Sequence, residues 1–253
     1  MTTSNPIAIV TGGSRGLGRS TVLSLAKRGV RSIFTYHSNR AQADEVVALT
    51  STAGARAVAL QLDTGNVRAF DDFVAKVRDA LERLGAERFD YLVNNAGTSH
   101  HNAIEKTSEA ELDSLYNVHF KGVFFLTQKL LPLLKDGGRI VNVSSGLTRF
   151  AMPGSASYAS MKGAIEVLTR YLAKELGARG IAVNTVAPGA IETDFSGGMV
   201  RDNPEINKRV ADMTALGRVG LPDDIGPMIA GLVSEEDRWI NGQRIEVSGG
   251  MVL

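Results

Sequence analysis

The chain has 253 residues, 28 of them basic and 27 acidic, giving a net charge of +1, and it contains no cysteine. That length suits one α/β sheet domain with a substantial core. The absence of cysteine excludes disulfides, zinc ribbons and thiol nucleophiles, and the balanced charge gives no electrostatic reason to expect nucleic acid or a membrane as partner.

In chain order, residues 7–11, 32–36, 57–62, 91–93, 140–143, 181–186 and 244–247 read as strands. Several are apolar on consecutive residues, the pattern of a parallel sheet covered on both faces. Helical patterns separate them. In the clearest, Phe70, Phe73, Val74, Val77, Leu81 and Leu84 recur at spacings of three or four and share one face. Seven strands with intervening helices imply right-handed crossovers and a doubly wound, Rossmann-like α/β sheet. No linker, repeat or low-complexity tract interrupts the alternation, so one domain is expected over residues 1–253. The stretch 194–220, rich in glycine, polar residues and charge, breaks the rhythm before the last strand and is expected to be a mobile lid over a site. The polar start, residues 1–6, lacks the apolar run of a signal peptide, and no later stretch has the apolar length of a membrane span, so a cytoplasmic protein is expected.

The first strand runs into Thr11-Gly12-Gly13-Ser14-Arg15-Gly16-Leu17-Gly18, and a helix follows. Glycines at 12, 16 and 18 allow a sharp turn and let a pyrophosphate approach the helix N-terminus, where free N–H groups and the dipole favour an anion. The spacing differs from the common G-x-G-x-x-G fingerprint, and glycine turns also occur without ligands. Its place directly after the first strand favours a dinucleotide. An NAD site puts an acidic residue at the end of the second strand to bind the ribose hydroxyls. Here that end reads Phe34-Thr35-Tyr36-His37-Ser38-Asn39-Arg40, and the next carboxylate is Asp44. Arg15 and Arg40 offer cations, and Ser14, Ser38 and Asn39 offer hydrogen bonds, to a 2′-phosphate near His37. NADP is therefore favoured over NAD. The alternative for Arg40 is a solvated residue at a helix start.

Further motifs follow in order: Asp63 after the third strand, Asn94-Asn95-Ala96-Gly97 after the fourth, Ser145 after the fifth, Tyr158-xxx-Lys162 on the next helix, Pro188-Gly189-xxx-Thr193 after the sixth, and Gly242-Gln243 with Gly249-Gly250 at the close. With the glycine turn they resemble the short-chain dehydrogenase/reductase family over essentially the whole chain. The resemblance implies that Asp63 bonds the adenine amino group with Thr64 beside it. It implies further that Asn95, Ala96 and Gly97 pass under the adenosine ribose, and that Pro188, Gly189, Ile191 and Thr193 hold the nicotinamide end. Read one at a time, Asp63 and Thr193 could equally be helix caps, and Asn94-Asn95 a turn.

Hydride transfer to a carbonyl leaves an alkoxide that must be protonated, and the reverse reaction must strip a hydroxyl of its proton. Tyr158 is the expected acid/base. A phenol with an ordinary pKa of about 10 is a poor base at neutral pH. The ammonium of Lys162, four residues on and on the same helix face, is expected with the nicotinium charge to favour the phenolate. Lys162 is also expected on the nicotinamide ribose. Ser145 is expected to hydrogen-bond the substrate oxygen. Adjacent Ser144 is its rival, and the family's spacing to Tyr158 selects Ser145. The family usually carries an asparagine, helping to hold a water linked to the lysine, where this chain has His119 in Asn117-Val118-His119-Phe120-Lys121-Gly122. Three readings stand: a kinked backbone carbonyl still holds the water with imidazole in place of the amide, His119 is a buried structural residue, or it adds a pH-sensitive relay. The first is favoured.

No metal is expected: His100-His101 project apart and lack a third ligand, so they line the substrate mouth or face solvent. Asp71-Asp72 and Asp223-Asp224 sit at helix starts and complement the dipole rather than form a glycosidase pair. No Gly-x-Ser-x-Gly elbow accompanies Ser145. Trp239 reads as a core or interface residue. Phe120, Val123, Phe124, Leu126, Leu130 and Leu131 make residues 108–134 apolar on more than one side, which together with the resemblance points to a homotetramer. The expected function is an NADP-dependent carbonyl reductase, similar to 3-oxoacyl-thioester reductases. A sugar or other alcohol dehydrogenase is the alternative, followed by a non-catalytic dinucleotide-sensing regulator, which would be expected to lose Tyr158 or Lys162.

Overall fold

The computed structural model describes residues 5–234 and 239–253, so the first four residues of the polar start lie outside the described part. Its strands are β1 (Ile7–Val10), β2 (Arg31–Tyr36), β3 (Ala57–Gln61), β4 (Phe89–Asn94), β5 (Leu134–Val143), β6 (Ala182–Pro188) and β7 (Arg244–Val247). They form one sheet in the order β3-β2-β1-β4-β5-β6-β7, and every neighbouring pair is parallel. All residues of β1 and β6 are buried, which explains why their sequences do not alternate. Strand β5 starts earlier than the apolar run suggests, because its first turn of sequence, Lys135 to Gly138, is polar.

The helices are α1 (Gly16–Lys27), α2 (Arg40–Thr52), α3 (Phe70–Arg83), α4 (Glu109–Tyr116), α5 (Gly122–Leu130), α6 (Ala156–Leu176), α7 (Met199–Asp202), α8 (Pro204–Asp212) and α9 (Pro222–Leu232). One face of the sheet packs on α3, α5 and α6 through Phe70, Phe73, Leu81, Leu126, Leu130 and Leu176. The other packs on α1, α2 and α9 through Val22, Leu25, Val46, Ile225 and Ile229. The strand order reverses between β1 and β4. The crevice beyond their C-terminal ends is the place where open α/β sheets bind ligands, and it gathers the candidate site.

The stretch 194–220 holds α7 and α8, with the Asn203 side chain accepting from the backbone of Glu205 and Ile206 and Pro204 opening α8. Its C-terminal part is tied down, Gly220 bridging to Ile191 and Thr214 to Met251. Trp239 is 99 % exposed and belongs to no core. Among the described residues no helix is long and apolar enough to cross a membrane, and no group of His, Asp and Glu could hold a metal ion.

Helices α1 and α9 approach so closely that a Cβ on Gly226 would lie 2.3 Å from Ser20 Oγ and 2.5 Å from the Ser20 backbone carbon. Alanine would raise helix propensity by about 1 kcal/mol, whereas overpacking costs about 1–3 kcal/mol. Because backbone is among the atoms in the way, the clash should win. Gly226→Ala is expected to lower stability by up to about 2 kcal/mol in urea denaturation; a raised midpoint would contradict the packing described.

Candidate active site

Two turns of α6 carry Tyr158 and Lys162, while Ser145 stands just past β5 at the start of a single 3-10 turn, Gly146–Thr148. Ser145 Oγ accepts from the Leu147 backbone N–H at 3.2 Å, which leaves the hydroxyl proton free to donate, and the hydroxyl is near enough to the Tyr158 phenol to pull its pKa down. Ser144 turns away: it is buried, and its hydroxyl donates to Glu166 at 2.7 Å. The geometry thus separates the two serines that the sequence left as rivals.

Lys162 is 5 % exposed and its Nζ donates to the Val143 carbonyl at 2.7 Å, 5.6 Å from the centre of the Tyr158 ring. Burial pushes its pKa down to about 7. Burial also pushes the Tyr158 phenol above its ordinary range, with the Ser145 hydroxyl pulling the other way. Burial is the largest influence on the phenol. Desolvation disfavours both charged forms, and the ammonium is spent on a carbonyl.

Between α4 and α5 the chain makes a π-helical turn, Asn117–Lys121, which widens the helix where His119 enters. His119 is 1 % exposed and its ring meets that of Tyr158 edge-on, with centroids 5.2 Å apart. Nε2 lies 2.7 Å from the Thr98 carbonyl and 3.2 Å from the Thr98 nitrogen, and the shorter contact fits an Nε2–H donor. Nδ1 has no partner. A Cβ on Gly97 would come within 2.8 Å of His119 Cε1, so the ring occupies space that only glycine leaves. Burial first and the Lys162 charge second lower the His119 pKa to about 3. The imidazole is neutral at physiological pH, against the reading of a pH-sensitive relay.

On the cofactor side, α1 begins without a side-chain cap and without an acidic residue in its first turn, so its N-terminal N–H groups are open to an anion. A Cβ on Gly18 would sit 2.1 Å from the Gly12 carbonyl oxygen, which makes glycine obligatory there. Thr11 Oγ1 accepts from the backbone of both Asn95 and Ala96 at 2.9 Å, and Asn95 Nδ2 donates to the Thr11 carbonyl at 2.9 Å. Asn95, Ala96 and Gly97 lie just past β4, and Thr11, which the sequence reading did not single out, anchors the first two. Asp63 is exposed and accepts from the Gly65 backbone at 2.9 Å, with Thr64 beside it. Pro188 ends β6, Gly189 donates to the Val247 carbonyl at 3.1 Å, and Thr193 lies against Gly16, whose Cβ would be 3.5 Å from Thr193 Cγ2. Ser14 and Leu17 are half-buried in the glycine turn; His37, Ser38, Asn39 and Arg40 are exposed past β2. Arg15 pairs with Asp194 at 3.8 Å and Arg40 with Asp44 at 3.0 Å. Asn39 caps α2.

Phe195 was not foreseen. Its ring lies 5.9 Å from that of Tyr158, and the neighbouring Ser196 Oγ is 2.8 Å from Ser99 Oγ, bringing the 194–220 stretch onto the loop after β4. His100 is half-buried; His101 is exposed, with Nδ1 3.5 Å from Ser155 Oγ.

The family model described as enoyl-(acyl carrier protein) reductase matches residues 12–252. A 3-oxoacyl-[acyl-carrier-protein] reductase of Staphylococcus aureus is 36% identical over 97% of this chain and 98% of its own. Among solved structures, the promiscuous reductase LugOII, which catalyses keto-reduction at C1 during lugdunomycin biosynthesis, is 39% identical with a TM-score of 0.93, covering 100% of this chain and 99% of its own. The angucycline C-6 ketoreductase LanV with bound NADP is 36% identical with a TM-score of 0.93, covering 98% and 95%.

The depressed pKa of His119 has a consequence for stability. The unfolded chain takes up a proton at this residue below about pH 6.5, while the folded protein does not until about 3. Stability should therefore fall as pH drops from the first value toward the second. His119→Asn is expected to flatten this slope in denaturation curves across the acid range, while the rate profile near neutral pH keeps its shape. A neutral-pH ionisation that disappears in His119→Asn would show that the imidazole moves protons.

Proposed function

The chain belongs to the short-chain dehydrogenase/reductase family, and on that premise we propose that it is an NADPH-dependent carbonyl reductase whose proton donor is Tyr158. The observation that carries this reading is a buried Lys162 whose Nζ lies 5.6 Å from the centre of the Tyr158 ring, with Ser145 at the start of the turn after β5. NADPH, when bound, supplies the hydride. The open N-terminus of α1 and the close-packed Gly12–Gly18 turn fit its pyrophosphate. Arg15 and Arg40, with Ser14, His37, Ser38 and Asn39, would meet a 2′-phosphate. Their carboxylate partners are exposed, and pairs of that kind hold only weakly, so a phosphate can replace them. Asp63 and Thr64 would receive the adenine, Asn95, Ala96 and Gly97 the adenosine ribose, and Pro188, Gly189, Ile191 and Thr193 the nicotinamide end.

Ser145 donates to the carbonyl oxygen, and Tyr158 gives its proton to that oxygen as the negative charge develops. A phenol held protonated by burial is ready as an acid, which suits reduction at neutral pH. Lys162 would hold the nicotinamide ribose, and its ammonium would return the proton to Tyr158 and take one up again from water. His119, fixed to Thr98, keeps the widened helix turn in place beside the Tyr158 ring. The stretch 194–220 acts as the substrate cover, with Phe195 over Tyr158. Its apolar ring suits a 3-oxoacyl thioester or another apolar ketone better than a sugar. A cytoplasmic location goes with this chemistry.

The test is a spectrophotometric panel of 3-oxoacyl thioesters, fused-ring ketones, sugars and alcohols with both cofactors. NADPH is expected to bind at least about tenfold more tightly than NADH, and His37→Asp to erode that preference by repelling the 2′-phosphate. Tyr158→Phe should lower turnover by about 10²–10⁴-fold with NADPH binding intact. Equal affinities would refute the cofactor choice. NADPH binding with no turnover of any carbonyl would favour a dinucleotide-sensing regulator.

Assembly belongs to the same proposal. Leu126 and Leu130 are buried in the protomer's own core, but Tyr116, Phe124, Phe125, Val167 and Tyr171 are exposed on α4, α5 and α6. This apolar face supports self-association into a homotetramer. Light scattering should give four times the 27.0 kDa protomer mass; a monomer at micromolar concentration would overturn the assignment.

A further inference from the structure

Ser145 is held by residues that touch neither substrate nor cofactor in the reading above. Glu166 lies one turn beyond Lys162 on α6 and two beyond Tyr158, on the same face. Its side chain is 14% exposed. One carboxylate oxygen, Oε1, accepts from Ser144 Oγ and Thr148 Oγ1 at 2.7 Å each and from Arg244 Nε at 2.9 Å. Ser144 and Thr148 bracket Ser145. The guanidinium of Arg244, rooted in β7, also sends Nη2 to the Ser145 carbonyl at 3.3 Å. That carbonyl also lies 2.9 Å from Thr148 Oγ1, so the single hydroxyl proton is shared between it and Glu166. The backbone of the turn is therefore gripped on both sides of the residue whose hydroxyl meets Tyr158.

The grip extends outward. Arg244 Nη1 donates to Glu246 Oε2 at 3.0 Å, and Glu246 takes two parallel bonds of 2.7 Å from Arg149. Arg149 also donates to the Met251 and Val252 carbonyls at 2.5 and 2.7 Å. Charge-assisted bonds in forked geometry fix direction as well as distance. Three of these bonds end on Ser144, Ser145 and Thr148. A network serving only to staple β7 to α6 would have no need of them.

We propose that Glu166 and Arg244 are positioning residues that hold the turn carrying Ser145, so that its hydroxyl stays in register with the Tyr158 phenol. The proposal rests on the reductase reading, and the experiment separates the two. Arg244→Met, Arg244→Lys and Glu166→Gln are made in the full chain. Turnover of the best ketone in the panel, NADPH affinity, the pH dependence of alcohol oxidation, and hydrogen exchange over residues 144–150 are then measured.

Arg244→Met is expected to lower kcat about tenfold, with KM and NADPH affinity within about twofold, and Arg244→Lys to recover part of the loss. A displaced Ser145 no longer favours the phenolate, so the rise of oxidation with pH should move upward, toward that of Ser145→Ala. In the Ser145→Ala background the Arg244 change should add little. Exchange at Leu147 should quicken. Wild-type kcat and pH profile in folded Arg244→Met, or an equal further loss on top of Ser145→Ala, would overturn the proposal. Should Arg244→Met fail to fold, the near-isosteric Glu166→Gln carries the same measurements. If the unmodified protein reduces no carbonyl, the reductase reading fails, and hydrogen exchange alone decides: unchanged exchange over 144–150 in both variants overturns the positioning role.

Discussion

One hydroxyl joins the two halves of the site. Thr11 Oγ1, at the end of β1, accepts from Asn95 and Ala96 at the end of β4, across the point where the strand order reverses. Those two bonds set the path of residues 95–98. Thr98 in turn holds the His119 imidazole, and that ring abuts Tyr158. The turn suited to the pyrophosphate and the residue suited to move the proton are therefore connected through four short contacts. Displacing Thr11 would be felt at both ends, because buried backbone donors need partners and Asn95 and Ala96 have theirs in this oxygen.

Desolvation gives the centre its chemical character. Tyr158 is pushed up, Lys162 down to about 7 and His119 down to about 3, all by burial as the largest cause. Each shift favours the neutral form. A pocket of this kind holds a phenol as an acid and keeps an imidazole inert. An asparagine side chain would offer Thr98 both a donor and an acceptor. The imidazole offers one protonated nitrogen there and leaves Nδ1 unsatisfied, so the substitution keeps the anchor at the expense of a buried lone pair.

The sheet, its parallel character and the glycine turn were legible because they rest on local signals: consecutive buried apolar residues, and glycines at positions where a Cβ has no room. Asp63, Asn95 and Thr193 follow the C-terminal ends of strands, and Tyr158 and Lys162 share a face of α6 four residues apart, both of which are local signals. What escaped was non-local or polar. Glu166 and Arg244 are 78 residues apart, and nothing in either neighbourhood announces the other. The start of β5 hides in a polar run, and Phe195 reaches Tyr158 only through the turn after Thr193. Helix α8 did carry a signal, Asn203-Pro204 followed by Ile206 and Val210, which the glycine and charge around it obscured. The contacts of His119 within the π-turn, with Thr98 and Tyr158, join residues 21 and 39 positions away.

The contact between Gly97 and His119 bears on how such a site can change over generations. Histidine and asparagine codons differ by a single nucleotide, so the residue at 119 is one mutational step from the occupant usual in related enzymes. The missing Cβ at 97 is what keeps that step open in both directions. Once alanine is fixed at 97, the ring no longer fits, and a return to histidine is closed until glycine is restored. The two positions are coupled by sterics alone, and the order in which they mutate decides which sequences the lineage can reach.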